Sequence, residues 1–219
     1  MSYPIIISIE GIIGAGKTTF INNCLVEILT AKGFNVKIAR EPVDLWVEIL
    51  PMFYKDPKRW GYFFQTKALV DRIGVLTDAI KHDTNADIII CERGIVSDSI
   101  FMETMRQQEK VTEMEYTTYK ALWDIVVKTI LFTPNLYVYL SPDVNEAMKR
   151  VKIRSRDGEE DLAVGYQHIL KLNHDKMFGD NFIDIGDNKV PVLKIDANLN
   201  FKDDYDTKLI LTNKVISYI

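Results

Sequence analysis

The sequence predicts an α/β fold, a five-stranded parallel sheet flanked by helices. Two observations carry this. Five short runs of mostly apolar, β-branched residues, at 5–9, 36–39, 87–91, 136–140 and 190–195, are each separated from the next by a longer segment with helical spacing. Strands alternating with helices belong to doubly wound sheets. The runs are also continuous rather than alternating, Ile88-Ile89-Ile90 being the clearest, as expected of strands covered on both faces.

The elements follow in order. Strand 5–9 leads through a glycine-rich turn into a helix over 17–32 that stops at Gly33. The second strand, 36–39, lies just before Glu41-Pro42. A helix over 58–82 carries Tyr62, Leu69, Ile73, Leu76 and Ile80 at helical spacing, and the third strand, 87–91, runs into Glu92-Arg93. Helices over roughly 97–108 and 113–132 come next, the second with Tyr116, Tyr119, Leu122, Trp123 and Val126 on its apolar side. After the fourth strand comes a basic segment with Arg150 and Arg154 on one helix face. A fifth strand after Pro191 and a terminal helix after Phe201 complete the chain. No repeat, low-complexity tract or Pro/Gly/Ser-rich linker interrupts it, so a single domain over 1–219 is expected.

Composition bounds the function. A chain of 219 residues suits one compact α/β unit and buries enough surface to need neither a disulfide nor a structural metal. A net charge of −4 and a pI near 5.5 argue against a surface devoted to nucleic acid or to a membrane, while allowing a local basic site. The two cysteines, Cys24 and Cys91, have no paired spacing, which excludes disulfide scaffolds and zinc ribbons and suits a reducing compartment. The amino terminus lacks the basic flank of a signal peptide, and no apolar stretch reaches the roughly 18 residues of a membrane span. A cytoplasmic location is the expectation.

Gly11-Ile12-Ile13-Gly14-Ala15-Gly16-Lys17-Thr18 matches GxxxxGK[ST] between the first strand and the first helix. Such a loop turns its backbone N–H groups inward and adds the positive end of a helix, so it cradles a polyphosphate. Lys17 would reach the β- and γ-phosphates and the Thr18 hydroxyl would ligate Mg²⁺. The motif implies a nucleotide but not a reaction.

Further residues narrow it. Strand carboxyl ends in an open α/β sheet converge on the ligand crevice, which places Glu41 where a carboxylate could take the proton of an attacking hydroxyl. Glu92-Arg93 ends the third strand at the same edge, and the planar, always-charged Arg93 suits either Glu41 or a transferring phosphoryl group. Residues 149–156 hold five cations in eight positions, read as an arginine-rich lid at about 150–160 that stabilises charge on that group.

Together these residues resemble the deoxyribonucleoside kinases, specifically the deoxycytidine/deoxyguanosine kinase-like group. The similarity includes the phosphate loop, Glu41-Pro42-Val43 with Trp46, Tyr54 through Lys58-Arg59-Trp60 to Phe64-Gln65-Thr66, and Glu92-Arg93 with Asp98. It continues through Arg150/Arg154/Arg156 with Glu159, and Ile195-Asp196 to Asn200-Phe201-Lys202-Asp203. The resemblance implies a P-loop kinase that uses ATP and Mg²⁺. Glu41 would be the general base for a deoxyribose 5′-hydroxyl, Arg93 would position it, Lys17 and the lid arginines would act on the phosphates, and Glu92 with Thr18 would hold Mg²⁺. Thr19 would extend the phosphate cradle, and Asn200-Phe201 would border the donor adenine. Tyr54 and Glu159 would bind the sugar 3′-hydroxyl, Gln65 would read the base edge, and Trp46 with Phe64 would line the base pocket.

Similar enzymes that accept thymidine carry apolar or small residues where this chain has Arg72 and Asp98, so a preference for deoxycytidine or purine deoxynucleosides is implied. Two departures stand out: Gly94 replaces the usual Ser after Glu-Arg, and Gly158 stands where a second acidic residue often precedes Glu159. Similar kinases are homodimers, and the apolar side of 113–132 suits either such an interface or the core. The alternatives are a nucleoside monophosphate kinase of the thymidylate kinase kind, for which no spare arginine cluster is visible, and a non-catalytic ATP-binding regulator.

Overall fold

The computed structural model describes residues 4–82, 85–129 and 133–219. Its centre is a sheet in which β1 (Ile5–Glu10) lies between β3 (Ile88–Glu92) and β4 (Leu136–Ser141). Outward from β3 stands β2 (Val36–Ala39), and outward from β4 stands β6 (Asn188–Asp196). All four of these pairings are parallel. Leu136 to Leu140 and all of β3 are buried, whereas β6 alternates toward solvent, so the continuous apolar runs are the central strands.

The sheet has one strand more than the sequence reading gave it. Phe182–Ile185 forms β5, antiparallel to β6 at the edge. The two-residue connection Gly186-Asp187 turns the chain, with Gly186 at φ 56°, a hairpin geometry that favours glycine.

The helices agree in place more than in detail. The first is broken into α1 (Lys17–Phe20), a π-helical stretch Ile21–Val26, and α2 (Glu27–Ala31). Beyond β2, a 3₁₀ turn Val43–Trp46 and α3 (Ile49–Lys55) form a wall that was not anticipated. The 26 residues of α4 (Pro57–His82) run about 39 Å at 1.5 Å per residue. Then come α5 (Ile95–Gln107) and α6 (Glu113–Thr129), the expected extension to 132 lying outside the described residues. The apolar side of α6 turns inward: Tyr119 is buried, Tyr116, Leu122 and Val126 pack on the core, and the Trp123 indole donates to the Ile95 carbonyl at 2.9 Å. After β4, α7 (Val144–Arg154) carries the basic run, a 3₁₀ turn Glu159–Asp161 follows, and α8 (Val164–Met177) returns across α5. The chain ends on α9 (Tyr205–Ile216).

Candidate active site

From β1 the chain crosses past β3 to β2, and from β3 it crosses back past β1 to β4, so the connections diverge beside β1 and the carboxyl ends of the strands open into one crevice. There a cleft of about 820 Å³ is lined by the phosphate loop, the β2 end, α3, α4, the β3 end, α7 and the segment 198–202.

The loop is held by close packing. Gly14 and Gly16 take φ 80° and 92°, a region costly to residues with a side chain. A Cβ on Gly16 would lie 3.0 Å from the Phe201 ring, and one on Gly14 would strike the Ala147 carbonyl. Ile13, Gly14, Gly16, Lys17, Thr18 and Thr19 face the cleft, while Gly11, Ile12 and Ala15 support it from behind. Lys17 donates to the Gly11 and Ile12 carbonyls at 3.3 and 3.2 Å. Burial, with Arg93 nearby, brings its ammonium down to about 7, although Glu41 and Glu92 oppose the shift.

Glu41 sits where β2 empties into the cleft, and its Oε1 meets two guanidinium groups, Arg72 Nη2 at 2.6 Å and Arg93 Nε at 3.1 Å. The Arg93 contact is an ion pair without hydrogen-bond alignment, since its Nε–H is not aimed at the carboxylate. Burial alone would raise the Glu41 carboxyl, but Arg93, Arg72 and Lys17 outweigh it and hold the group at about 2. Arg93 Nη1 donates to the Gly11 carbonyl at 2.7 Å, and its guanidinium lies over the Phe101 ring. Arg72 also donates to Asp98 through Nη1, so one side chain spans two carboxylates. Asp98 itself is buried behind Arg72 and does not line the cleft. Burial pushes its carboxyl up to about 7 against the pull of Arg72.

Beside these charges lies an aromatic wall. Phe64 stacks on Phe53 with centroids 4.8 Å apart and meets Trp46 edge-on at 5.5 Å, while the Arg72 guanidinium lies 5.0 Å from the Trp46 ring. Gln65 is 2% exposed, faces this space, and makes no side-chain hydrogen bond among the described residues, so its amide is free to read a ligand edge. Tyr54 lines the cleft on α3, its hydroxyl pushed well above the usual range by burial and by Tyr166 and Glu159.

The arginines of the basic run divide. Arg154 grips Glu159 through both carboxylate oxygens, Nη2 lying at 2.5 and 2.7 Å, and Arg156 approaches at 3.5 Å. Arg150 instead braces the loop, donating to the carbonyls of Ala15 at 3.3 Å and Ala197 at 2.9 Å. Thr18 donates its hydroxyl to Glu92, placing two oxygen donors together. Among the described residues no group of three acidic, histidine or cysteine side chains could hold a metal. Such a pair nevertheless fits Mg²⁺, which binds through one or two protein oxygens with waters and phosphates supplying the rest. Phe201 packs edge-on against Phe20 at 5.6 Å beneath Gly16, and the Asn200 side chain accepts from the N–H groups of Lys202 and Asp203.

Sequence reasoning missed several residues here. Phe53 and Leu50 lie on the unanticipated α3. Asp71 pairs with Lys67 one helical turn before it at 2.8 Å, and it also accepts the Trp46 indole N–H at 2.7 Å, a bond across 25 residues that no local spacing announces. Gln167 on α8 donates to the Ile13 carbonyl at 2.7 Å. Glu10, buried beneath the loop, has no signature except its place after an apolar run.

Comparison with known proteins gives the frame. A probable deoxycytidine kinase of Fowlpox virus is 33% identical, covering 97% of this chain and 87% of that protein. Human deoxycytidine kinase is 28% identical over 97% and 90%. The solved structure of deoxyadenosine kinase from M. mycoides, which holds its products dCMP and a flexible dCDP, superposes with a TM-score of 0.76 at 26% identity, covering 98% of this chain and all of that one. The family model for deoxynucleoside kinases matches residues 7–219, a span that takes in the phosphate loop, the strand-end carboxylate and the arginine segment meeting at this crevice, and the chain accordingly belongs to the deoxynucleoside kinase family.

Proposed function

We propose that the chain, acting as one kinase domain, transfers the γ-phosphoryl group of ATP to the 5′-hydroxyl of a deoxynucleoside, with deoxycytidine or purine deoxynucleosides favoured over thymidine. The observation that carries this reading is Glu41, ionised between Arg72 and Arg93 at the junction of the phosphate loop and the aromatic wall. A carboxylate held near 2 is a weak base. It orients the hydroxyl and takes its proton late, as the new O–P bond forms, which suits a loose, largely dissociative transfer. Arg93, Lys17 and the lid arginines Arg150, Arg154 and Arg156 meet the charge on the phosphates, and Asn200 with Phe201 borders the donor base. Thr18 and Glu92 would hold Mg²⁺, which when bound offsets charge on the β- and γ-phosphates.

On the acceptor side, Trp46, Phe53 and Phe64 enclose the base, Tyr54 and Glu159 take the sugar hydroxyl, and Gln65 reads the base edge. Arg72 supports the base preference: held by Asp98 and Glu41, it brings donors and bulk beside Gln65, which suits a cytosine or purine edge and crowds a thymine methyl. We further propose a cytoplasmic homodimer; among the described residues no helix is long and apolar enough to cross a membrane, and Phe63 and Val70 on α4 with Met114 and Ile125 on α6 are exposed apolar side chains. Sedimentation tests the dimer. A coupled ADP-release assay with deoxycytidine, deoxyadenosine, deoxyguanosine and thymidine tests the activity. Release with none of the four refutes the kinase reading, and fastest release with thymidine refutes the base preference alone.

A further inference from the structure

We propose that Glu10, which lies outside the cleft, is a positioning residue that sets Arg93 for phosphoryl transfer; the proposal rests on the kinase reading above. Glu10 closes β1 directly before the phosphate loop and is 0% exposed. A buried carboxylate is costly unless paired or fully hydrogen-bonded, and no cation lies within ion-pair distance of it among the described residues. Three donors satisfy it instead. Ser8 Oγ at 2.6 Å and the Gly94 N–H at 2.8 Å meet Oε1, and the Ser97 hydroxyl meets Oε2.

Two of those donors follow Arg93 in the chain. Arg93 has φ 67°, a left-handed backbone that costs an L-residue about 1–2 kcal/mol and persists only where its surroundings enforce it. The enforcement is visible on both sides of the turn. The Arg93 N–H donates to the Ile9 carbonyl at 3.1 Å, and the next N–H, that of Gly94, donates to Glu10. The turn is thereby tied to the end of β1, the strand that also launches the phosphate loop. It places the guanidinium so that Nη1 reaches the Gly11 carbonyl and Nε lies 3.1 Å from Glu41 Oε1. Space at position 94 belongs to the same arrangement, since a Cβ there would lie 2.8 Å from Ser8 Oγ and 3.3 Å from Glu10 Oε1. Glu10 thus registers the phosphate loop, Arg93 and Glu41 against one another.

The test compares Glu10→Gln, Glu10→Ala and Ser8→Ala with the parent chain, alone and combined with Arg93→Ala. Gln can still accept from Gly94 and Ser8 while its amide donates to a rotated Ser97 hydroxyl, so E10Q is expected to stay within about threefold of parental kcat. E10A is expected to lower kcat on the order of 10²-fold, the scale of a misplacement near 1 Å, with both KM values within about threefold. E10A added to R93A should lower kcat no further. Effects on kcat that multiply in the double variant, or parental kcat in folded E10A, overturn the proposal. Should E10A not fold, Ser8→Ala, which removes a donor from Glu10 without the direct 3.5 Å contact that the Ser97 hydroxyl makes with Arg93 Nη1, carries the same cycle, with a smaller fall in kcat expected and additivity again overturning it. Crystal structures of E10Q and S8A read the geometry without turnover: E10Q should keep the Arg93–Gly11 contact and S8A should loosen it, and an unmoved Arg93 in S8A counts against the proposal. If the parent phosphorylates no deoxynucleoside, the kinase reading has failed, while those structures still decide the placement of Arg93.

Discussion

Replacing Glu41 with Gln removes one charge from between two buried guanidinium groups and keeps the shape of the side chain. Its size can be worked out from the structure. The folded carboxyl lies near 2 against an ordinary 4.5, and at 1.36 kcal/mol per unit this favours the ionised form by about 3 kcal/mol. Because the folded value is depressed, that stabilisation is fully present above the unfolded pKa and is lost as pH falls toward 2. Glutamine imitates the protonated acid. E41Q is therefore expected to be about 3 kcal/mol less stable than the parent at pH 7 and only about 1 kcal/mol less stable at pH 3, measured by urea unfolding at each pH. In parallel kcat should fall by roughly 10²- to 10⁴-fold, the usual worth of a general base, with nucleoside affinity largely kept. A stability difference that stays flat between pH 7 and 3 refutes the electrostatic account, and a near-parental kcat removes Glu41 from its role.

Three further outcomes follow from neighbouring groups. His174 is fully buried among Phe101, Tyr139 and Phe178, with Nε2 unpartnered among the described residues; burial and Arg93 hold it well below the usual imidazole value. The unfolded chain therefore binds the proton first, so stability should fall as pH drops below about 6.5, and His174→Gln should flatten that part of the urea-derived profile. Lys17, brought down to about 7 by burial, should take up a proton when an anionic triphosphate enters; calorimetric enthalpies for an ATP analogue at pH 8 should then vary with the ionisation heat of the buffer, and identical enthalpies would contradict it. Gly16→Ala forces a side chain onto φ 92° and to 3.0 Å from the Phe201 ring, so nucleotide affinity should drop by at least about tenfold while deoxynucleoside affinity, read by fluorescence, changes little.

What the sequence displayed and what it hid divide along physical lines. The central strands were legible because burial on both faces leaves an uninterrupted apolar run, as at Ile88-Ile89-Ile90. The edge strand β5 was not, because four residues alternating outward and inward look like a loop, although Gly186-Asp187 was a usable turn signal. On α8 the buried positions are Tyr166, Gln167, Leu170 and His174; two polar side chains inside the stripe erased the apolar period. Among the site residues, the phosphate loop and the strand-end charges announced themselves by motif and by position after a strand. Trp46 to Asp71, Gln167 to Ile13 and Gly94 to Glu10 are bonds between distant segments, and no local spacing encodes them.

The fixed partners of the cleft's arginines resolve an apparent conflict between a chain of net charge −4 and a cleft proposed to draw in a polyanion. The cleft is not a free basic patch. Arg72 is committed to Asp98 and Glu41, Arg154 to Glu159, and Arg150 to backbone carbonyls of the loop and of Ala197. Committed cations have paid their ordering entropy before any ligand arrives, and their orientation is fixed where charge develops, the arrangement that makes electrostatic stabilisation effective. Lys17 is the contrasting case, a buried ammonium whose contacts are neutral carbonyls and whose proton is weakly held. A triphosphate entering this site meets arginines already in place and one lysine that regains full charge on contact. On the proposed kinase reading, binding energy is thus concentrated at the loop, where the nucleotide would be held, and Arg93 at the end of β3 is left to act on the transferring group.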